Sequence, residues 1–553
     1  MNRMNHLPTL KIDVTQKISF IYKGKKYMGA KGDTIATALF ANGVRIFSRS
    51  LKYHRPRGLY SLDGECSNTM MEVDGIPNVR CENTFLKEGM VIEEQNVKGS
   101  AENDMLGFLD KLDWLMPAGF YYDVMHKPAK LWPIAMKQIR KAAGIGKINP
   151  DFKMPGKFDE IFPNTDVCVI GGGPAGMTAA LSAAKKGLRV ILMESRPWLG
   201  GCFEFRSKAY QNGLSLHERA QQLSKEVASF ENIRVFTHTS VVGTYNNNLV
   251  TGFQIGKEKD AFTERYIEIR AKSVVAATGC IERPLIFDNN ERPGVMQTGC
   301  ALRLAKTYGQ LPGKKAVFSI GHDFGLEAAL ELHDLGLSIA CIADIREDGQ
   351  DPELLKTVAD KNILLLKGWV AVKAHGRKRV KQVSLSTLDG MITRKFTCDL
   401  LVASAGMTPV TGAITVAQGK LKYDNHTGFF LPDVLPEKMH AAGRVVGLED
   451  PLAIEASGTL AGLKAAFDCE TCSIQDIGQA KKDLENLPGP VRGTKLVTAP
   501  VKGRKSFICF DEDATIKNIK QAIDKGFDVP ELIKRFTATG LGPGQGGIPG
   551  HNL

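Results

Sequence analysis

The chain has 553 residues, of which 43% are hydrophobic and 24% are charged. These are ordinary values for a globular protein, and the length predicts roughly three or four domains. The net charge of +12 is spread along the chain, and no nucleic-acid-binding module is recognisable. We therefore expect nucleotide phosphates or acidic small molecules as the anionic ligands, and no nucleic acid.

The first residues and the cysteines indicate the compartment. The opening stretch MNRMNHLPTLKIDV lacks the apolar run that a secretory leader needs. No segment reaches the ~18 consecutive apolar residues of a membrane span. The 11 cysteines are irregularly spaced and odd in number, which argues against a disulfide framework. We expect a cytoplasmic protein that does not enter a membrane.

Residues 1–94 are predicted to form a small domain. The segment ISFIYKGKKYMGA alternates like a β-hairpin that turns at Lys23-Gly24. Residues 34–42 follow with a helical period, and Asp33 is placed as the N-cap. The segment MMEVDGIPNV is a further strand and turn. This order predicts a β-grasp, ferredoxin-like domain.

Residues 95–160 are predicted to be an irregular connector. Its stretch LMPAGFYYDVMHKPAKLWP is rich in aromatic residues, which rarely stand at this density in a solvated linker. We expect the connector to wrap the core of this chain or the surface of a partner.

Residues 161–485 are predicted to be an α/β core with two dinucleotide-binding units of the Rossmann-like FAD/NAD(P) type. The buried strand TDVCVI, a glycine loop, the helix MTAALSAAKKG and the strand LRVILME form the first unit. The segment KKAVFSIGHDFGLEAALELHDLG and the strand LSIACIAD form a second unit, inserted at about residues 313–400. Residues 486–553 are predicted to be a Pro/Gly linker and a small helical module.

Gly171, Gly173 and Gly176 form G-x-G-x-x-G between the first strand and its helix. The first glycine permits a sharp turn, the second lets the backbone approach a pyrophosphate, and the third allows close packing of helix on strand. The helix N-terminus adds partial positive charge. Glu194 ends the next strand, where a carboxylate accepts hydrogen bonds from the adenosine ribose and disfavours a 2′-phosphate. We therefore predict NAD or FAD in this loop, with NAD slightly favoured.

Two later segments are also rich in glycine. Ala277-Thr278-Gly279 ends a strand, and Gly443 precedes a helix that carries Gly458 and Gly462. In order and spacing, these segments look like the signatures of the two-dinucleotide flavoprotein superfamily. The candidate cofactor-binding residues are Gly171, Gly173, Pro174, Ala175, Gly176, Glu194, Ser195, Arg196, Gly201, Thr278, Gly279 and Gly443.

Two departures from that pattern bear on the ligand. Arg444 follows Gly443, where flavoproteins of the superfamily usually have an aspartate that reaches the ribityl chain. A cation there favours phosphate but supplies no ribityl acceptor, which weighs against FAD. In the second unit, Asp323 and Leu326 stand where the second and third glycines would be. We expect this second loop to be a structural relic or a weak site.

Five segments carry a more specific pattern. They are SRSLKYHRPRGL (48–59), PAGFYYDVM (117–125), the glycine loop with Glu194, CIERPLIFDNNERPGVM (280–296) and LIKRFTATG (532–540). Together they resemble the alpha subunit of heterotetrameric sarcosine oxidase and related amino-acid and opine dehydrogenase alpha subunits, over nearly the whole chain. The resemblance implies that a separate flavin-bearing beta subunit oxidises a small-molecule amine. It also implies that the alpha subunit holds NAD and that FMN lies at the alpha–beta contact. Catalytic residues in this chain stay unassigned.

Dehydrogenase-type relatives in this resemblance carry [2Fe–2S] clusters. Plant-type ligation takes C-x4-C-x2-C plus a fourth cysteine. The matching positions are Ser61, Cys66 and Thr69, with Cys81 or Glu82 near the fourth. One certain thiolate does not hold an iron pair, so we expect no cluster in the first domain.

The C-terminal module resembles a second cluster domain with replaced ligands. Cys509 and Asp511 match one ligand motif, whereas Gly544 and Pro549 replace two ligands of the other. We expect no [2Fe–2S] cluster here either. The chain ends at Leu553, where the sarcosine oxidase alpha subunit continues into a folate-binding, aminomethyltransferase-like domain. We expect a separate folate-binding polypeptide, alongside a small subunit, or no folate step.

Other candidate residues have structural explanations. Cys469 and Cys472 form C-x-x-C, but the second ligand pair that zinc would need is missing, so incidental thiols are favoured. Cys202 follows Gly200-Gly201 and has no resolving cysteine close in sequence, so a redox role is disfavoured. The basic run from Arg45 to Arg57 either grips a phosphate or an acidic partner, or forms a solvated edge.

We therefore predict the dinucleotide-binding alpha subunit of an oxidoreductase that acts on CH–NH donors. Two alternatives remain open. A self-sufficient FAD/NAD(P)H-dependent reductase would require a functional second loop. A non-catalytic scaffold would hold NAD as a structural ligand only.

Overall fold

The computed structural model describes residues 3–115, 118–119, 130, 132–134, 136–137, 146–147, 149–257, 259–490, 499–501, 505–548 and 550. The chain divides into two compact units. Unit 1 comprises Met1–Phe152, Glu282–Gly406 and Val497–Leu553, and unit 2 comprises Lys153–Ile281 and Met407–Leu496. No helix among the described residues is both long and apolar enough to cross a membrane.

The N-terminal part of unit 1 is a five-stranded mixed sheet that packs beside one short helix, Ile35–Ala41. The strands, in sheet order, are Lys25–Lys31, Asp13–Tyr22, Val91–Glu93, Met70–Val73 and Ile76–Arg80. Tyr22 pairs with Lys25 across the predicted turn. This arrangement is the β-grasp expected from the sequence.

The prediction of Asp33 as the helix N-cap is wrong. Thr34 is the N-cap, and its hydroxyl accepts a hydrogen bond from the Thr37 amide at 3.2 Å. The buried Asp33 carboxylate instead binds the Arg3 guanidinium at 2.7 and 2.8 Å and the Thr37 hydroxyl at 2.9 Å. A buried carboxylate needs such partners, so Asp33 anchors the N-terminal segment.

The middle part of unit 1 is built on a five-stranded parallel sheet. Its strands, in sheet order, are Val295–Met296, Leu400–Ser404, Lys315–Ile320, Ser338–Asp344 and Leu365–Lys367. An antiparallel sheet consists of Trp369–His375, Gln382–Thr387 and Thr393–Thr397. The helices are Thr298–Lys306, Asp323–Asp334 and Pro352–Asp360.

Short elements complete unit 1. The strand pair Ser48–Arg49 and Pro56–Arg57 lies between the helix Ile35–Ala41 and the strand Met70–Val73, and the 3-10 segment Met105–Leu115 follows the β-grasp sheet. The C-terminal module has the strands Phe507–Cys509 and Ala514–Thr515 and the helices Ile516–Asp524 and Pro530–Thr537.

Unit 2 is built on an eight-stranded sheet whose central strand is Glu264–Ala276. The main path runs Ile233–Phe236, Val190–Met193, Asn164–Ile170, Glu264–Ala276, Leu249–Ile255 and Thr239–Tyr245, and the strands Phe158–Ile161 and Met439–Ala441 also pair with Glu264–Ala276. A hairpin is formed by Lys420–Asp424 and Phe429–Val434. The helices are Pro174–Lys185, Leu216–Ser229, Gly412–Val416, Pro451–Asp468 and Ile474–Glu485. Short 3-10 turns are Gly201–Phe203, Gln211–Gly213, Asn246–Asn248 and Gly443–Val446.

Two helices of unit 2, Pro174–Lys185 and Pro451–Asp468, pack at very close range. An added Cβ at Gly458 would lie 2.2 Å from the Ala175 carbonyl oxygen, and one at Gly462 would lie 2.3 Å from that of Ala179. Only glycine lets the two backbones approach this closely. The contact places the middle of the second helix, at Gly458, against the start of the first helix, which directly follows the glycine loop.

The predicted fold class is confirmed: unit 2 and the middle of unit 1 each carry a parallel β-turn-α-β arrangement. The domain boundaries proposed from the sequence stay predictions. Of the aromatic motif at 117–125, only Ala118 and Gly119 are described. The aromatic stretch of the predicted connector, on which its wrapping role depends, therefore falls largely outside the described residues, as does Pro549.

Candidate functional site

The glycine loop connects the strand Asn164–Ile170 to the helix Pro174–Lys185. Gly171 has a φ of +104°, and an added Cβ would lie 2.4 Å from the Ala277 carbonyl oxygen. An added Cβ at Gly176 would lie 1.8 Å from the Gly171 carbonyl oxygen. Both positions therefore require glycine, because the helix begins directly against the strands.

The backbone amides at the start of this helix are unused. Gly173 is the N-cap and has no side chain to satisfy them. Among the described residues, the amides of Gly173 and Ala175 donate to no acceptor. An added Cβ at Gly173 would meet only the Gly201 Cα, at 3.8 Å. Unused amides at the positive end of a helix bind anions, so the loop fits a pyrophosphate.

Glu194 directly follows the strand Val190–Met193 and is buried. One carboxylate oxygen accepts the Gly172 amide at 2.7 Å, and the other accepts the Arg196 amide at 2.8 Å and the Ser195 hydroxyl at 3.1 Å. Burial raises the pKa of Glu194. A carboxylate has about four acceptor positions, so capacity remains for a ribose hydroxyl. Glu194 thus stabilises the glycine loop through the Gly172 amide, and it keeps one acceptor position for a ribose hydroxyl.

Arg196 lies next to this carboxylate, but its charge is balanced. Its Nη1 donates to Glu204 Oε1 at 2.8 Å, and the Trp198 indole N–H donates to the other oxygen of Glu204. Glu204 is buried. With Glu194 and Glu204 both close by, this corner offers no excess positive charge for a 2′-phosphate.

The remaining predicted residues lie around the loop. An added Cβ at Gly201 would lie 2.7 Å from the Gly173 Cα, and one at Gly443 would lie 2.7 Å from the Ala175 Cβ. The Thr278 hydroxyl donates to the Val410 carbonyl at 2.5 Å, and the Val410 amide donates to the Gly279 carbonyl at 2.9 Å. The fold therefore brings the sequence-predicted residues to one place.

Arg444 is not the isolated cation that its position in the sequence suggests. Its Nη2 donates to both oxygens of Glu449 at 2.8 Å, and its Nε donates to one of them at 3.2 Å. The pair carries no net charge, so it does not favour phosphate as a bare cation would. Sequence reasoning missed Glu449, because neither helical nor strand periodicity links it to Arg444.

The loop of the second unit is filled by side chains of the chain itself. The His322 ring accepts the Gly325 amide at 3.2 Å as the helix N-cap. Asp323, the first helical residue, forms an ion pair with Arg346 at 2.8 Å. Arg346 also binds Asp344, at the end of the next strand, through Nε at 3.1 Å and Nη2 at 2.8 Å. The positions that phosphate and ribose would use are thus occupied by an internal ion-pair cluster.

The buried members of the basic run are also paired internally. His54 Nδ1 lies 2.7 Å from Asp104, Arg55 binds Glu291 at 2.7 Å and Asp110 at 2.8 Å, and Arg57 binds Asp513. These three side chains therefore neither form a solvated edge nor stand ready to bind a phosphate, so both predictions are wrong for them. Their partners come from distant parts of unit 1, which no local pattern reveals.

Three family models match the chain. Residues 15–97 match the 2Fe-2S iron-sulfur cluster binding domain, and residues 165–437 match the pyridine nucleotide-disulphide oxidoreductase family. Residues 503–550 match the sarcosine oxidase A3 domain.

Curated relatives extend over nearly the whole chain. The alpha subunit of sarcosine oxidase from Rhizobium meliloti (strain 1021) is 30% identical over 98% of this chain and 55% of its own length. The chain is a homologue of the sarcosine oxidase alpha subunit. An opine oxidase subunit from Agrobacterium tumefaciens (strain Ach5) is 27% identical over 69% of this chain and 83% of that protein. The expected class, a subunit of an oxidoreductase, is confirmed at this level.

This homology has a defined extent. The chain spans about half the length of the sarcosine oxidase alpha subunits that it matches. The crystal structure of L-proline dehydrogenase from P. horikoshii superposes with a TM-score of 0.71 at 22% identity, over 99% of this chain and 92% of that chain. At this identity the likeness shows the fold alone.

The expectation that the chain has no [2Fe–2S] cluster is wrong at the level of the family, because residues 15–97 match the cluster-binding domain. The two cysteines of that segment, Cys66 and Cys81, are both buried, and burial raises the pKa of each thiol. A cluster of this type takes four ligands, usually thiolates. In the described part of the chain, no three His, Cys, Asp or Glu side chains are arranged to hold a metal ion. The described donors alone therefore do not make up a ligand set.

Proposed function

We propose that this chain is the dinucleotide-binding alpha component of a cytoplasmic complex that oxidises an amine or amino acid, and that it holds NAD at residues 171–176. One observation carries the proposal: the unused amides of Gly173 and Ala175 start a helix, and the Glu194 carboxylate stands at the end of the next strand. This combination supports recognition of a pyrophosphate and an adenosine ribose together.

Each part of the site has its own role in this proposal. The amides of Gly173 and Ala175 bind phosphate oxygens, and Glu194 orients the ribose and disfavours a 2′-phosphate. The turns at Thr278-Gly279 and at Gly443 flank the half of the ligand beyond the pyrophosphate. NAD, when bound, supplies a nicotinamide ring that can accept a hydride.

Amine oxidation is assigned to another chain. The relatives are named as subunits, which supports an assembly of several polypeptides. In this proposal a flavin-bearing beta subunit takes a hydride from the amine, and water hydrolyses the resulting imine. FMN lies at the alpha–beta contact, and small and folate-binding subunits join the complex.

The internal ion pairs of the second loop weigh against a self-sufficient reductase. Such an enzyme needs a second nucleotide site, and Asp323 and Arg346 fill the corresponding loop. A scaffold with structural NAD would differ from the proposal only in that this chain takes no part in the reaction of the complex.

The test is the identity of the nucleotide that the native chain carries. The chain is purified without denaturation, saturated with NAD, FAD and NADP in turn, and freed of excess ligand. The nucleotide that heat releases is then identified by mass. We expect NAD at about one per chain, and copurification of a smaller flavoprotein when the neighbouring subunits are coexpressed. A chain that retains neither NAD nor a flavin overturns the proposal.

A further inference from the structure

Arg444 lies between two of the glycine turns that form the candidate site. It directly follows Gly443, whose backbone packs against Ala175 of the glycine loop. Its carbonyl oxygen accepts a hydrogen bond from the Cys280 thiol at 3.1 Å, and Cys280 directly follows Gly279. These contacts hold the backbone of Arg444 beside the candidate site, so its side chain extends from a fixed position there.

The guanidinium of Arg444 is engaged on one edge only. Nε and Nη2 donate to Glu449 at 2.8–3.2 Å, whereas Nη1 donates to no acceptor within the described part of the chain. Because the guanidinium is planar and rigid, a carboxylate on the Nε–Nη2 edge leaves the N–H bonds of Nη1 directed away from it. Arg444 thus keeps a donor group that is not committed to the protein.

The ion pair with Glu449 keeps the guanidinium of Arg444 protonated. The side chains of Arg444 and Glu449 are only 10% and 27% exposed. Burial by itself lowers the pKa of Arg444, but the Glu449 carboxylate and neighbouring groups together raise it by more, so the pKa lies above its usual value. The guanidinium therefore stays protonated, and the pair presents a directed hydrogen bond without net charge.

The two candidate dinucleotides differ in the half that follows the pyrophosphate. In NAD this half offers the ribose ring oxygen and the carboxamide carbonyl as acceptors, beside the ribose hydroxyls. In FAD the linker is a ribityl chain with more hydroxyl groups; their oxygens can also accept from Arg444, but each of their hydrogens needs an acceptor in turn. Glu449, the carboxylate beside Arg444, is already engaged by the guanidinium.

We propose that Arg444, held in place by Glu449, is the specificity-determining residue of this site and makes it favour NAD over FAD. The inference rests on the proposed function, that is, on a dinucleotide bound at residues 171–176. Glu449 is a positioning residue in this scheme, because it acts through Arg444.

The experiment compares AMP, NAD and FAD on the full chain by isothermal titration calorimetry. In Arg444→Ala, NAD binding is expected to weaken about tenfold or more, because a charge-assisted hydrogen bond is lost. The affinity for FAD is expected to stay the same or to increase. The affinity for AMP is expected to stay unchanged, because AMP lacks the half of the dinucleotide that Arg444 would contact. Glu449→Gln is expected to show a smaller loss for NAD, because the guanidinium remains but is held less firmly.

Arg265→Ala is the matched control. Arg265 binds Asp159 through Nε at 2.8 Å and Nη2 at 2.6 Å. It stands near the start of the strand Glu264–Ala276, whose other end leads to the site. Removing this ion pair is expected to leave the ratio of NAD to FAD affinity unchanged.

The outcomes separate the two proposals. If Arg444→Ala does not fold, as judged by its melting curve, Arg444→Met, which keeps a long side chain but has no N–H donor, replaces it. A variant at Arg444 that binds AMP and keeps the wild-type ratio of NAD to FAD affinity overturns the inference. Wild-type protein that binds none of the three nucleotides overturns the proposed function instead.

Discussion

The Asp511 carboxylate accepts a hydrogen bond from the Ser67 amide at 2.9 Å. It also accepts the Gly544 amide at 2.5 Å. An added Cβ at Gly544 would lie 2.3 Å from the Glu65 carbonyl oxygen, so this position has no room for a side chain. The C-terminal module is thus joined directly to the loop of the β-grasp domain that carries Cys66.

The ion pair between Arg57 and Asp513 strengthens the same junction, and its loss should destabilise unit 1. Both side chains are almost wholly buried. Asp513 also accepts the amides of Lys52 and Tyr53, each at 2.9 Å. In Asp513→Ala, Arg57 becomes a buried charge that is only partly compensated by its more distant neighbour Glu291. We expect a loss of about 3–5 kcal/mol in the free energy of unfolding, measured by urea denaturation.

Glu531→Ala is the control for that prediction. Glu531 pairs with Arg535 on an exposed helix of the same module. Exposed pairs of this spacing contribute only ~0.3–0.5 kcal/mol, so the unfolding midpoint should hardly move. Equal effects of the two substitutions would contradict the role assigned to the buried pair.

Gly173→Ala should separate ligand binding from folding. A methyl group at this position meets only the Gly201 Cα, at an ordinary distance of 3.8 Å, so the melting temperature should stay close to that of the wild type. The methyl group would stand where a pyrophosphate approaches the backbone. We expect NAD affinity to fall by more than about tenfold, since even one lost charge-assisted hydrogen bond is worth ~1.5–3 kcal/mol. Calorimetric titration with NAD measures the loss.

Gly176→Ala provides the contrast. Its added methyl group would overlap the Gly171 carbonyl oxygen, which forces the helix away from the strand. Overpacking of this kind costs about 1–3 kcal/mol, so the melting temperature should fall together with NAD binding. A Gly173→Ala variant that unfolds like Gly176→Ala, or binds NAD like the wild type, would refute the proposed roles.

The affinity for NAD should depend on pH through Glu194. Burial raises the pKa of this carboxyl above its ordinary value, so protonation persists to a higher pH than in a free glutamate. Only the ionised form accepts hydrogen bonds freely from ribose hydroxyls. Affinity should therefore fall as the pH drops through the raised pKa, and binding should release protons. Titrations in two buffers of different ionisation enthalpy measure this release, and Glu194→Gln should abolish it.

The chain should bind one dinucleotide and not two. The second loop is occupied by the ion pair of Asp323 with Arg346 and by the His322 cap, so its anion site is already filled. Equilibrium dialysis with NAD and NADPH together should reach saturation at about one nucleotide per chain. A second site of comparable affinity would revive the reductase alternative.

Local spacing determined the elements that local physics controls. The hairpin that turns at Lys23-Gly24 and the strand, glycine loop and helix around Gly171 follow from residues adjacent in sequence, whose backbone preferences do not depend on distant partners. Glu194 could be placed for the same reason, because it ends the very next strand. The family resemblance lay in such contiguous motifs too.

Tertiary structure decided which charged side chains meet. Arg444 is neutralised by Glu449, Arg57 is buried against Asp513, and Asp323 fills its own loop with Arg346. The last two of these pairs join separate elements, and none of the three follows a helical or strand period. The energy of a buried charge depends on its surroundings in space rather than on its neighbours in the chain, so the sequence alone could name these residues but not their partners.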